Sequence, residues 1–382
     1  MKRKLVSIFL VIIMITLPIS AFGEIDITSK AALLMDYNTG KIIYALNEHE
    51  KLPPASVTKI MTLLLVMEAV SNGKITLDDK VVISEYAAGM GGTQVYLEPG
   101  ETQRVEDLVR AVTIRSANDA AVALGEAISG SSESFVKLMN DKAKSLGMEN
   151  THFSNASGLP TDDHYTTAYD IALMSRELLK YDELEKHLTS YMEEMLVGKN
   201  KDETQVMVNT NRLVKEYEGT TGIKTGSTSA AGYCISASAR RGDLHLIAVI
   251  LGGQTGAIRF NEAKKLLDYG FANYDSHRIG KKGDLIKSIP IEKSDVTSVD
   301  LVLERDVYAL LPKGNKGDVD KEIVNPDTIQ SPISKGDTIG ELIISLDGKE
   351  IDRVNLVAKD DVNNAGFLLI LKRTVSSYFQ GK

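Results

Sequence analysis

Hydrophobic and polar positions change rhythm several times along this chain. Residues 31–37 and 41–46 are apolar-rich runs on either side of Asn38-Thr39-Gly40, a pattern that predicts a β-hairpin. Pro53-Pro54 then marks a helix start, because proline suits the first turn and cannot lie deep inside. Ile60, Leu63, Leu64, Met67 and Val70 follow at helical spacing and predict a helix buried on one face. Residues 100–200 carry mostly helical patterns; loops are expected around 89–92 and 155–164. Beyond 218 the texture turns to strands. Runs 233–239 and 244–251 flank Arg241-Gly242-Asp243 as a second hairpin, and 259–269 reads as a closing helix. The expectation is one α/β unit over 24–280, its sheet assembled from both ends. After 281, short alternating runs such as 299–303 and 342–346, with Asp347-Gly348 as a turn, predict a small all-β domain over 281–362. Nothing in it looks catalytic, and a spacer role is expected.

Both termini carry membrane-related patterns. Lys2, Arg3 and Lys4 precede an apolar run over 5–17, then Pro18 and the small residues of Ala21-Phe22-Gly23. That is the layout of a secretory signal peptide over 1–23, and the run falls short of the roughly 20 residues that span a bilayer. The protein is therefore expected outside the cytoplasm, at the outer face of the cell membrane. Over 363–382, Phe367, Leu368, Leu371, Val375, Tyr378 and Phe379 share one helical face, while Lys372 and Arg373 lie away from it. This predicts an amphipathic helix lying on a membrane surface, with docking on its own domain as the alternative.

Composition narrows the chemistry. The 382 residues allow two or three domains, and a net charge of −8 argues against nucleic acid as a partner. The single cysteine, Cys234, excludes an intrachain disulfide and a cysteine zinc cluster. His49, His152, His164, His187, His245 and His277 never fall three or four apart, so no metal site is expected. GxSxG, GxGxxG and Walker A strings do not occur, and no cofactor is implied.

What remains is Ser56-Val57-Thr58-Lys59. A serine and a lysine three apart on a helix share a face, and a helix N-terminus favours developing negative charge. Serine needs an adjacent base, and Lys59 serves only if burial or a second cation keeps it neutral. The spacing alone is weak, since Ser134/Lys137 repeats it. Ser116-Ala117-Asn118 and Lys224-Thr225-Gly226 change that. Lys224 supplies a second cation and a carboxylate contact. Ser116 is expected to bridge the two lysines and carry a proton toward a leaving amine, with Asn118 holding the substrate amide. Gly226 lets a peptide lie on the strand edge. The N–H groups of Ser56 and Ser227 would form an oxyanion hole.

Residues 52–62 (LPPASVTKIMT), 115–120 (RSANDA), 151–159 (THFSNASGL) and 222–226 (GIKTG) resemble the serine-type D-Ala-D-Ala carboxypeptidases, low-molecular-mass penicillin-binding proteins. The resemblance implies an α/β catalytic domain like that of serine β-lactamases, with an antiparallel sheet plus a helical region, followed by a small all-β domain. It implies removal of the terminal D-alanine from peptidoglycan stem peptides through an acyl-enzyme, which β-lactam antibiotics trap. Ser56 is then the nucleophile, Lys59 the base, and Ser116, Asn118, Lys224, Thr225 and Gly226 the remaining elements. Arg259 becomes a further carboxylate contact, while His152, Asn155 and Gly158 shape a loop. Some relatives carry histidine where this chain has Ser227, which leaves relative rates and β-lactam susceptibility open. Two other readings stand beside this one. A β-lactamase would need a loop glutamate, and 150–176 contain none. A non-catalytic peptidoglycan-binding wall protein would have no use for the intact motif set.

Overall fold

The structure, a computed structural model, describes residues 25–314 and 319–367 together with 369 and 371. The expected signal peptide lies outside the described residues. A five-stranded antiparallel sheet runs in the order Ile42–Leu46, Ala31–Asp36, Leu244–Gly253, Gly232–Arg241, Thr220–Thr228. Both ends of the expected α/β unit thus meet in one sheet. Its strands Ala31–Asp36 and Leu244–Gly253 are covered on both faces, so they read as nearly continuous apolar runs rather than alternating ones. Ala31, Leu33 and Met35 point into the helical layer, while Ala32 and Leu34 face the closing helix Gly256–Asn273.

The helix Lys59–Ser71 departs from expectation, being buried nearly all round rather than on one face. It lies between the sheet and the helices Asn118–Ser129, Ser132–Ser145 and Ala168–Leu178. Its N-terminal residue, Lys59, is consequently fully buried. The helical middle also contains a hairpin that periodicity did not reveal, Met192–Val197 with Glu203–Val208. Met195, Val197 and Met207 are buried there, but Met192, Leu196, Val206 and Val208 are exposed, so apolar residues on both faces hide the alternation.

Strand Tyr274–Gly280 leaves the closing helix and pairs with Val307–Pro312. Beyond it, a six-stranded sheet runs in the order Val319–Val324, Thr338–Leu346, Lys349–Ala358, Ser298–Leu303, Leu285–Glu292, Ile329–Gln330. Leu301, Ile344 and Leu356 form part of its separate core. The expectation of a membrane surface as a partner, held by a helix over 363–382, requires correction. Most of that segment lies outside the described residues, and no helix among the described residues is long and apolar enough to cross a membrane. Its beginning is tied back to the β unit instead. The Ala365 N–H donates to the Lys293 carbonyl at 2.7 Å, and the Ser331 hydroxyl donates to Asn364 Oδ1 at 3.0 Å.

Phe135 is fully buried where the helices Asn118–Ser129 and Ser132–Ser145 meet, and its ring fills the space that a Cβ at Gly125 would occupy. Phe135→Ala should cost about 3–5 kcal/mol of unfolding free energy by urea denaturation. A loss below about 1 kcal/mol would mean that this contact does not hold the helical layer together.

Candidate active site

Ser56 sits on a single 3-10 turn, Ala55–Thr58, directly ahead of the helix that begins at Lys59. The turn is entered through Ala55 at φ +50°, a left-handed conformation that costs an alanine about 1 kcal/mol. Several contacts hold it there. The Thr58 hydroxyl donates to the Ala55 carbonyl at 2.8 Å, and His164 Nε2 lies 2.8 Å from the same hydroxyl. His164 Nδ1 accepts the Ser154 N–H at 3.1 Å, so the ring proton is on Nε2 and points at Thr58. Burial, with His152 nearby, pushes the His164 pKa down to about 4, which keeps the ring neutral at pH 7. Gly158 closes the brace: a Cβ there would fall 1.9 Å from the Ala55 carbonyl oxygen. Asn155 shapes this loop through its side-chain oxygen, which accepts the N–H groups of Ser157, Gly158 and Leu159.

Lys59 Nζ has three neighbours: Ser56 Oγ at 2.9 Å, Asn118 Oδ1 at 2.6 Å and the Ser157 carbonyl at 2.7 Å. Burial drives its pKa well below the usual lysine value, and the Lys224 charge pushes the same way against an opposing pull from Asp119. Asn118 Oδ1 and the Ser157 carbonyl can only accept hydrogen bonds, so they take the two N–H bonds of a neutral amine. In that neutral state the lone pair faces Ser56, whose hydroxyl can donate to it. That is the arrangement of a general base on a nucleophile, within the reach proton transfer needs.

The second element turns sharply. Ser116 has φ +67°, at the end of the turn Ala111–Arg115. Its hydroxyl was expected to bridge the two lysines, but among the described residues it hydrogen-bonds to neither. Asn118 instead joins the elements, and its Nδ2 donates to the Gly91 carbonyl at 2.6 Å. Each end of the amide makes one bond within the protein, and Nδ2 keeps a second N–H for the expected hold on a substrate amide. Next to it, buried Asp119 accepts N–H groups of Val95 and Leu97, which anchors this corner to the preceding loop.

The third element lies on the edge strand Thr220–Thr228. A Cβ on Gly226 would fall 2.7 Å from the Ser56 nitrogen, so only glycine lets the strand pass this close to the nucleophile. Lys224 is buried, and burial together with Arg259 lowers its pKa to about 7. Its Nζ donates to the Thr225 carbonyl at 3.1 Å. The Thr225 hydroxyl donates to Thr210 Oγ1 at 2.8 Å, and Ser227 is exposed on the strand. Arg259, expected as a further carboxylate contact, is committed through one of its nitrogens to the strand itself. Its Nη1 donates to the carbonyls of Gly226 at 2.9 Å and Cys234 at 3.2 Å, bracing the strand across the hairpin. Thr58, His164, Asp119 and Thr210 escaped the sequence reading, since each acts through a contact distant in sequence. No group of His, Cys, Asp and Glu among the described residues could hold a metal ion.

The buried histidines make stability depend on pH. His164, with its pKa lowered from 6.5 to about 4, and His245, lowered to about 3, bind fewer protons folded than unfolded. Their contribution is complete above about pH 6.5 and is lost as pH falls toward 4. Between pH 7 and 4.5, urea denaturation of a His164→Gln variant should show a drop about 2 kcal/mol smaller than that of the unaltered chain. Equal drops would remove His164 from this account.

Comparison with known proteins agrees with this geometry. Residues 19–255 match the D-alanyl-D-alanine carboxypeptidase family, and residues 274–364 match the C-terminal domain of penicillin-binding protein 5. The chain is similar to the D-alanyl-D-alanine carboxypeptidase DacF of Bacillus subtilis, 42% identical with all of both chains covered. It is also similar to DacA of Escherichia coli, 32% identical over 90% of this chain and 86% of that one. The solved structure of penicillin-binding protein 5 from Haemophilus influenzae superposes with a TM-score of 0.74 at 34% identity, covering 89% of this chain and 98% of that one. With its sheet, its helical layer, its three motif elements and its C-terminal β domain, the chain belongs to the serine-type D-alanyl-D-alanine carboxypeptidases, the low-molecular-mass penicillin-binding proteins.

Proposed function

We propose that Ser56 is the acylated nucleophile of this carboxypeptidase and Lys59 its general base. The enzyme removes the terminal D-alanine from the pentapeptide stems of peptidoglycan, works outside the cytoplasm and is acylated by β-lactams. One observation carries the assignment of roles: the buried Lys59 amine lies 2.9 Å from Ser56 Oγ with both of its N–H bonds already committed to carbonyl oxygens. Ser56 Oγ attacks the carbonyl of the penultimate D-alanine as its proton passes to Lys59 Nζ. The N–H groups of Ser56 and Ser227 receive the oxyanion. The C–N bond then breaks, and the proton reaches the departing D-alanine amine by way of the Ser116 hydroxyl. Water cleaves the ester and restores Ser56. Lys224, with Thr225 beside it, takes the terminal carboxylate, while the peptide lies along the open edge of Thr220–Thr228. In this reading residues 24–280 carry the chemistry and 281–362 form a spacer.

Incubation with benzylpenicillin followed by mass spectrometry should find a lasting adduct on the Ser56 peptide, absent in Ser56→Ala. Lys59→Met should slow acylation by about 10²–10⁴-fold with the fold intact by circular dichroism. Rapid penicillin turnover without a lasting adduct would indicate a β-lactamase instead. The absence of both adduct and turnover would indicate a non-catalytic wall protein.

A further inference from the structure

The reaction fixes which way a peptide must run along the edge strand. Its terminal carboxylate lies toward Lys224, and its scissile carbonyl lies at Ser56, where Gly226 packs. Residues upstream of the cleaved bond must therefore follow the strand the other way, past Ser227 and Thr228 to the turn that holds Ala230. Thr228 is two residues beyond Gly226, about 7 Å in an extended strand. A groove of about 490 Å³ lies beyond it, reached at Ala230 and bordered also by Pro53, Pro160, Lys51, Asp162 and Tyr165. Its volume falls within the range of ligand pockets, about 300–1,000 Å³.

This groove carries two exposed charges of opposite sign that form no ion pair among the described residues. Lys51 Nζ lies 4.8 Å from the centre of the Tyr165 ring and has no acidic partner among the described residues. Asp162 likewise has no hydrogen-bond or ion-pair partner among them. Its neighbour Asp163 does, accepting from the Ser154 hydroxyl at 2.7 Å. The site is also held in place. Leu52 and Thr166 exchange backbone hydrogen bonds at 2.8 and 3.0 Å, which locks the segments bearing Lys51 and Tyr165 side by side. Pro53 and Pro160 stiffen the borders, so little ordering remains to oppose binding.

We propose that this groove is a subsite for the part of the stem peptide upstream of the two D-alanines, where Lys51 receives a carboxylate and Asp162 an amino group. The inference rests on the function assigned above and adds to it a preference for stems that carry both charges. It makes Lys51 and Asp162 specificity residues that do not touch the reacting atoms.

The test begins with the unaltered enzyme and four synthetic peptides ending in D-Ala-D-Ala. One carries a free carboxylate and a free amino group upstream, two have one of these groups blocked, and one has both blocked. Release of D-alanine should give the highest kcat/KM for the doubly charged peptide, falling about three- to fivefold with each block. Lys51→Met should abolish the penalty for blocking the carboxylate, and Asp162→Asn the penalty for blocking the amine, with each leaving the other penalty in place. Equal kcat/KM for all four peptides on the unaltered enzyme overturns the subsite. So do variants that keep the unaltered enzyme's pattern of penalties. Benzylpenicillin acylation of the same preparation separates the two readings: failure to acylate counts against the assigned function, whereas normal acylation with flat peptide preferences counts against the subsite alone.

Discussion

Burying the Lys59 amine is the constraint around which this molecule is arranged. A lysine removed from water must lose its proton or find a counter-charge, and here the contacts are two carbonyl oxygens and a hydroxyl. Those partners come from separate parts of the chain, with Asn118 and Ser157 lying 59 and 98 positions away. The helical layer that encloses Lys59–Ser71 thus does two things together. It supplies the dry environment that lowers the amine's pKa, and through Asn118 it delivers one of the two acceptors that fix which way the lone pair points.

The same economy appears in the loop from Ser154 to His164. Its Ser157 carbonyl orients Lys59, its Gly158 permits close approach to Ala55, and its His164 holds the Thr58 hydroxyl against the Ala55 carbonyl. One loop therefore positions both the base and the turn that presents the nucleophile. The edge strand completes the opposite wall. There Gly226 gives up a side chain so that the Ser56 backbone can sit against it, and Arg259 holds the strand from behind through two carbonyls. The two lysines share this small site with both pKa values lowered, first of all by burial: Lys59 well below the usual lysine value, and Lys224 to about 7.

Much of the fold was legible in the chain. The hairpin around Asn38-Thr39-Gly40 and the alternating runs after 281 have periods or turn signals that act over a few residues. The Met192–Val208 hairpin was not legible, because its exposed apolar residues leave no alternation to read. The extent of burial of Lys59–Ser71 was also hidden. Periodicity finds a buried face, whereas here neighbouring helices cover the remaining faces too.

The candidate site divides in the same way. Ser56, Lys59, Ser116, Asn118, Lys224, Thr225 and Gly226 were visible because the chemistry demands particular residue types at short spacings, and such demands are written locally. Roles that depend on who meets whom were decided by the tertiary structure. Asn118 rather than Ser116 contacts Lys59, Arg259 faces strand carbonyls, and Thr58 and His164 enter as supports. The physical reason is that hydrogen bonds and burial act over a few ångströms in space, irrespective of separation along the chain. The sequence by itself therefore determined which chemistry was on offer, and only packing decided which amine is dry, which carbonyls it meets and which charges are left over at the groove.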